Sequence, residues 1–105
     1  MTMLKSELCS YILDQLSALP GIRCMPMMGG YVFYINDKVF GGIYETGFLV
    51  KDTPSARRFM PDSVPEEPYM KMLPVTILDD AEKLCAMVSA MESELPEKKP
   101  KKKKA

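Results

Sequence analysis

The sequence predicts an α+β fold in which an antiparallel sheet is flanked by helices. Apolar residues recur at helical spacing near both ends of the chain, whereas β-branched and aromatic residues cluster between residues 22 and 51. The strand segments follow one another instead of alternating with helices, and this pattern favours α+β over a parallel α/β fold. The predicted element order is α–β(3–4)–α–β(1–2)–α.

The first predicted helix covers residues 3–19. The members of its apolar stripe are Leu4, Leu8, Tyr11, Ile12, Leu16 and Leu19. They fall near i, i+4, i+7 and i+8 spacing, which places them on one side of a helix. Pro20-Gly21 ends the helix, because a glycine after the last turn with a nearby proline is a common stop signal.

The predicted sheet begins after this helix. Its strands are 22–28, 31–35, 39–44 and 48–51. Asn36-Asp37 forms the turn between the second and third strands, since both residues tolerate positive φ. Pro26 suits an edge strand, because it has no N–H to donate to a neighbour. Gly41-Gly42 in mid-strand indicates a bulge or the close approach of a helix to the sheet.

The second half of the chain alternates between helix, loop and strand signals. Asp52 or Thr53 is the expected N-cap of a short helix with Pro54 at its first position. A proline-rich loop covers 61–68. The further predicted elements are a helix over 55–60, strands over 69–73 and 74–78, and a last helix over 81–95 capped by Asp79 or Asp80.

The formal net charge of zero conceals two unlike parts. Residues 1–96, the predicted folded domain, carry eight basic and thirteen acidic side chains, a net −5. Residues 97–105 carry six lysines and one glutamate, a net +5, and such a run of like charges predicts a disordered tail. The tail lysines are Lys98, Lys99, Lys101, Lys102, Lys103 and Lys104.

The composition excludes several classes of chemistry. The chain has no histidine, so a histidine base, a histidine metal ligand and a Ser-His-Asp triad are impossible. Cys9, Cys24 and Cys85 form no CxxC motif and are expected to be reduced thiols of a cytoplasmic protein. No secretory signal and no membrane span are expected.

The ten methionines predict flexible apolar side chains that fill a core or groove, and a copper(I) site is the alternative. We predict no catalytic residue, metal or cofactor.

A short set of motifs points to a known family. Arg23 precedes Met27-Met28-Gly29-Gly30, an aromatic strand, the Asn36-Asp37 turn, a second strand with Phe40, and Leu49-Val50-Lys51-Asp52. With these motifs the chain resembles the N-terminal domain of the TfoX/Sxy proteins, bacterial regulators of natural competence. Met28 stands where that family usually has Phe. The resemblance implies a secretion-chaperone-like antiparallel sheet, here in a single-domain member.

The candidate interaction or motif positions are Arg23, Met27, Met28, Gly29, Gly30 and Lys51. The two glycines do not form a phosphate loop, because they lack GxxxxGK[ST] and a strand follows them. They indicate a bend or bulge entering a strand, with ligand contact as the alternative. Lys51, Arg57 and Arg58 are either solvated surface charges or a small anion-binding patch.

We therefore predict a non-enzymatic domain that acts through protein contacts, with a role in transcriptional or competence-type regulation implied by the resemblance. The Met-rich segments and a sheet edge are the expected surfaces, and the edge also allows a homodimer. One alternative is a nucleic-acid accessory protein whose tail binds phosphates weakly and non-specifically. A small-molecule-binding domain is a further alternative. The tail can also fold back on the acidic domain.

Overall fold

A computed structural model describes residues 4–67 and 69–95 and confirms the α+β class. The helices are α1 (Lys5–Gln15), α2 (Pro54–Phe59) and α3 (Ala81–Glu92). The strands are β1 (Ile22–Met27), β2 (Gly30–Ile35), β3 (Lys38–Tyr44), β4 (Gly47–Lys51) and β5 (Met72–Pro74). The strands form one antiparallel sheet in the order β1-β2-β3-β4-β5. The predicted lysine-rich tail lies outside the described residues.

Two tight hairpin turns set the register of the first three strands. Asn36 and Asp37 have φ of 50° and 71°, so they form the predicted turn between β2 and β3. Met28 and Gly29 have φ of 48° and 83° and form an equivalent turn between β1 and β2. Positive φ at both central positions is characteristic of type I′ turns, whose twist matches that of the flanking strands.

A β-bulge lies in the middle of β3. Phe33 pairs with Gly41 while Tyr34 pairs with Val39, so Phe40 is the extra residue. In a regular strand, residues three apart point to opposite faces. Phe40 and Ile43 are nevertheless both buried in the same core, because the bulge changes the alternation between them. The predicted bulge near Gly41-Gly42 is confirmed at this place.

The helices cover one face of the sheet, and the core fills the space between. The sheet contributes Phe33, Ile35, Phe40, Ile43, Phe48, Val50 and Leu73. The helices contribute Cys9, Ile12, Ala56, Leu84, Met87, Val88 and Met91. Burial of this apolar surface is the main stabilising contribution, because short helices such as these are marginal in isolation. No helix in the described part of the chain is long and apolar enough to cross a membrane.

Two helix starts agree with the sequence. Thr53 accepts a hydrogen bond from the Ala56 N–H at 3.1 Å, and Pro54 is the first residue of α2. Asp80 accepts from the Lys83 N–H at 3.1 Å and caps α3. Each side chain satisfies one of the N–H groups that have no partner inside the helix.

The region between α2 and α3 differs from its prediction. The strands predicted over 69–73 and 74–78 reduce to the three residues of β5. Local turns replace the first part, because Tyr69 N–H donates to Glu66 at 2.7 Å and Met72 N–H donates to Tyr69 at 3.1 Å. Only Met72 and Leu73 of the first predicted strand pair with β4. The helix predicted over 3–19 is also shorter, since α1 ends at Gln15 and turns follow.

Candidate functional site

One half of the sheet face opposite the helices is uncovered. Cys24 and Phe33 are paired and face the helices, so their neighbours along β1 and β2 point the other way. We call this uncovered half the open face; its members are Arg23, Met25, Met27, Val32, Tyr34 and Val39. The side chains of Met25 and Met27 are 45% and 49% exposed. Antiparallel sheets often leave one face to solvent, but that face is usually polar.

The other half of the same face is closed by the segment after α2. Leu49 is paired with Gly42 and Pro74 and points away from the helices, yet it is only 2% exposed. The Tyr69 ring packs on Tyr44 with 5.0 Å between the ring centroids. Ser63 Oγ donates to the carbonyl of Pro74 at 2.6 Å and fixes the segment to β5. The open face is therefore confined to β1, β2 and the start of β3.

Met28 lies at the tip of the β1–β2 hairpin and is 99% exposed. Its φ of 48° lies in the left-handed region, which non-glycine residues other than Asn and Asp rarely adopt. The position therefore carries a residue that neither local backbone preference nor burial explains. A residue that disagrees with its local backbone conformation in this way is typical of a functional site.

A cleft of about 280 Å³ lies beside this tip, where the β1–β2 and β3–β4 turns are neighbours. We call it the hairpin cleft; its side walls include Met27, Met28, Tyr31, Val32, Tyr44 and Tyr69. Lys5 Nζ donates to the Gly29 carbonyl at 2.8 Å and lies 3.9 Å from the Glu45 carboxylate. Burial, and secondarily the neighbouring Tyr69, raise the pKa of Tyr44, so its hydroxyl stays neutral and can donate a hydrogen bond.

Four of the six candidate positions lie together in the structure. Met27, Met28, Gly29 and Gly30 line the hairpin cleft. Arg23 lies on the open face, with its guanidinium 5.5 Å from the centre of the Tyr34 ring and 3.8 Å from Asp37. Lys51 is not part of this group, because it lies on β4 paired with Met72 of the edge strand β5.

Arg57, one of the basic residues near α2, is engaged with a carboxylate of the chain itself. Arg57 donates two hydrogen bonds to Asp52, each 2.6 Å long, and this interaction raises the pKa of Arg57. Glu94 accepts from the Ser55 N–H at 3.0 Å and from the Ser55 hydroxyl at 2.7 Å. The Glu94 carboxylate thus occupies the start of α2. The anion-patch hypothesis requires an anion from another molecule to bind at that place.

Glu94 is expected to make stability depend on pH. Hydrogen bonds from the Ser55 hydroxyl, and then from the Ser55 N–H, lower the pKa of Glu94. A carboxyl whose folded pKa is lowered stabilises the fold above its unfolded pKa, and this contribution is lost as pH falls through the folded value. Glu94→Gln should therefore lower the melting temperature at neutral pH, and the difference from wild type should shrink below about pH 4.

Thermal unfolding followed by circular dichroism across this acidic range tests the role of Glu94. Glu67→Gln, on the exposed loop after α2, removes the same charge without touching Ser55. A difference between Glu94→Gln and wild type that stays constant with pH would contradict the assignment.

Several contacts of the site join residues far apart in the chain. Lys5 reaches Gly29 across 24 positions, and Ser55 reaches Glu94 across 39. Tyr44 and Tyr69 meet only because the segment after α2 returns over the sheet. Neither a periodic pattern nor a motif in the sequence marks these pairs. Lys5, Tyr44 and Tyr69 were therefore not predicted as cleft residues.

Within residues 4–67 and 69–95, no three Cys, Asp or Glu side chains are arranged to hold a metal ion. Comparison of the chain with protein-family models, with curated proteins and with solved structures finds no match. The resemblance to the TfoX/Sxy N-terminal domain therefore stays a prediction based on the motifs alone.

Proposed function

We propose that this chain is a non-enzymatic domain that binds another protein through the open face and Met28. The observation that carries the proposal is the exposure of Met25 and Met27 on the open face and of Met28 at the hairpin tip that follows it. Following the resemblance, we propose that the domain is a relative of the TfoX/Sxy N-terminal domain, with a regulatory role in the bacterial cytoplasm.

Methionine suits such a surface for two reasons. Its unbranched, polarisable side chain repacks against differently shaped partners. Removing its apolar area from water contributes roughly 25 cal/mol per Å². A contiguous group of exposed apolar side chains marks an interaction site more often than scattered ones do. Met28 adds a fully exposed apolar side chain at the end of the surface.

The charges around the surface favour a protein partner over a nucleic acid. Lys5 lies beside Glu45, and Arg23 lies beside Asp37, so each rim cation has an acidic neighbour. Phosphate binding requires a predominantly positive surface. Apolar side chains inside a rim of mixed charge instead match a protein segment that presents apolar side chains of its own.

The free edge of β1 is a less favourable surface than the open face. Met27 and Gly30 flank a two-residue turn, so the hydrogen bonds to β2 come from Met27, Met25 and Arg23. The Asn36 N–H donating to Gly21 at 2.9 Å agrees with this alternation. Pro26 therefore faces the free edge, where it offers no N–H to an added strand. We accordingly propose docking onto the face and not continuation of the sheet.

The test uses a double variant, Met25→Thr with Met28→Asn. Asn tolerates positive φ, so the turn should be preserved while the apolar side chains are lost. We expect the affinity for the partner protein to fall about tenfold or more, which corresponds to about 1.4 kcal/mol. A photo-crosslinker at position 28 identifies the partner, and titration calorimetry with the purified partner then measures the affinity.

Val64→Thr is the matched control, because Val64 is 61% exposed but lies on the loop after α2. Unchanged affinity in the double variant would contradict the proposal. Binding to duplex DNA that falls steeply between about 50 and 200 mM salt, and disappears when residues 97–105 are deleted, would favour the nucleic-acid alternative. A dimer in sedimentation equilibrium that the double variant abolishes would identify a second copy of the chain as the partner.

A further inference from the structure

Two of the three cysteines are in contact. The Sγ atoms of Cys9 on α1 and Cys24 on β1 are 2.9 Å apart, and both thiols are free. A disulfide bond requires a separation of about 2.05 Å, so the two sulfurs have only a short distance left to close. We propose that Cys9 and Cys24 form an oxidation site, at which a peroxide-class oxidant converts the two thiols to an intramolecular disulfide.

The surroundings give the two sulfurs different roles. Cys9 is buried in the core, whereas Cys24 is half-buried on the edge strand. Cys24 is therefore the sulfur that a small oxidant reaches first. Cys9 is then already in place as the resolving thiol, because the core fixes its position against Cys24.

The reaction balances with one peroxide. The Cys24 thiolate attacks hydrogen peroxide, breaks the O–O bond, and becomes a sulfenic acid while the departing hydroxide takes up the thiol proton as water. The Cys9 sulfur attacks that sulfenic sulfur and expels its hydroxyl, which leaves with the Cys9 proton as a second water. Two thiols lose two electrons and the peroxide gains them.

The reduced pair should react slowly with peroxide at neutral pH. Burial, and then the hydrogen bond with Cys9, raise the pKa of Cys24 to about 12. Since the thiolate is the nucleophile, oxidation should accelerate about tenfold for each unit of pH between neutral and mildly alkaline conditions. An ordinary free cysteine reaches a plateau near its own pKa of about 8.5.

The disulfide would tie the edge strand to the first helix. It closes a loop between positions 15 apart, from α1 to β1, and restricts the unfolded chain. We expect oxidation to raise the melting temperature by roughly 10 °C, and reduction with dithiothreitol to reverse the change. This inference is independent of the proposed function, since it depends only on the contact between the two sulfurs.

Peptide mapping of the full-length protein after treatment with hydrogen peroxide at mildly alkaline pH tests the site. Trypsin cleaves after Arg23 and so separates Cys9, in the peptide 6–23, from Cys24, in the peptide 24–38. We expect a disulfide-linked pair of these two peptides, with a mass lower by two hydrogen atoms than the sum of the two, and Cys85 outside the cross-link. Cys85 is the internal control, because its thiol donates to the Gln15 carbonyl at 3.4 Å.

Single cysteine variants test whether the cross-link joins Cys9 to Cys24 and not other thiols. Cys85→Ser should form the cross-link as wild type does, whereas Cys24→Ser and Cys9→Ser should not form it. A cross-link that involves Cys85, a disulfide between two chains, or three alkylatable thiols after peroxide treatment would overturn the proposal. If Cys9→Ser fails to fold, the mapping of the wild type and of Cys85→Ser decides the outcome alone.

Discussion

Phe33→Ala is expected to lower the free energy of unfolding by about 3–5 kcal/mol. Phe33 is fully buried on β2 and lies between two other aromatic rings of the core. Its ring centroid is 6.0 Å from that of Phe40 and 5.5 Å from that of Phe48, both in tilted geometry. The substitution removes these ring contacts and leaves a cavity that the bulged strand β3 cannot readily fill.

Urea unfolding monitored by circular dichroism measures this loss. Tyr34→Ala is the matched control, because it removes a ring of similar size from the next position of the same strand. Tyr34 lies on the open face and is only half-buried, so its loss should cost much less. Equal destabilisation by the two variants would contradict the assignment of the core to the helix side of the sheet. A loss of about 3–5 kcal/mol is large against the total stability of a typical domain, about 5–15 kcal/mol.

The elements that the sequence predicted well are those encoded locally. The β-branched and aromatic residues around Phe33 and the Asn36-Asp37 turn predict the β2–β3 hairpin within a few residues. The caps at Thr53 and Asp80 are equally local, since each side chain bonds an N–H three positions ahead. Such signals survive in the structure because tertiary packing and local preference agree.

The elements that the sequence did not predict depend on distant contacts. The alternating residues from 69 to 73 have the pattern of a strand, yet Tyr69 is held by Tyr44 and by local turns. The approach of Cys9 to Cys24 follows from the packing of α1 against β1, which no spacing in the sequence encodes. Periodicity indicates which side of an element is buried, but it does not indicate which element covers it.

Gly41→Ala is expected to lower the free energy of unfolding by about 3 kcal/mol, near the upper end of the usual cost of overpacking. Gly41 follows the bulged Phe40 and pairs with Val50 of β4. A Cβ atom at this position would overlap the Leu49 carbonyl oxygen and lie 2.9 Å from the Cα of Val50. Backbone atoms of a paired strand cannot rotate aside, so β3 and β4 would have to separate next to the bulge.

Gly29→Ala is the control for Gly41→Ala. It tests whether the cost at Gly41 comes from the nearby backbone of β4 or from replacing any glycine of the sheet. Gly29 has a φ of 83°, but its added Cβ would meet no described atom within 4 Å outside its chain neighbours. Its cost should therefore be only that of a left-handed residue, about 1–2 kcal/mol. Urea unfolding should rank Gly41→Ala as the more destabilising variant. The reverse order would mean that the turn beside Met28, and not the bulge, is the more demanding feature of the sheet.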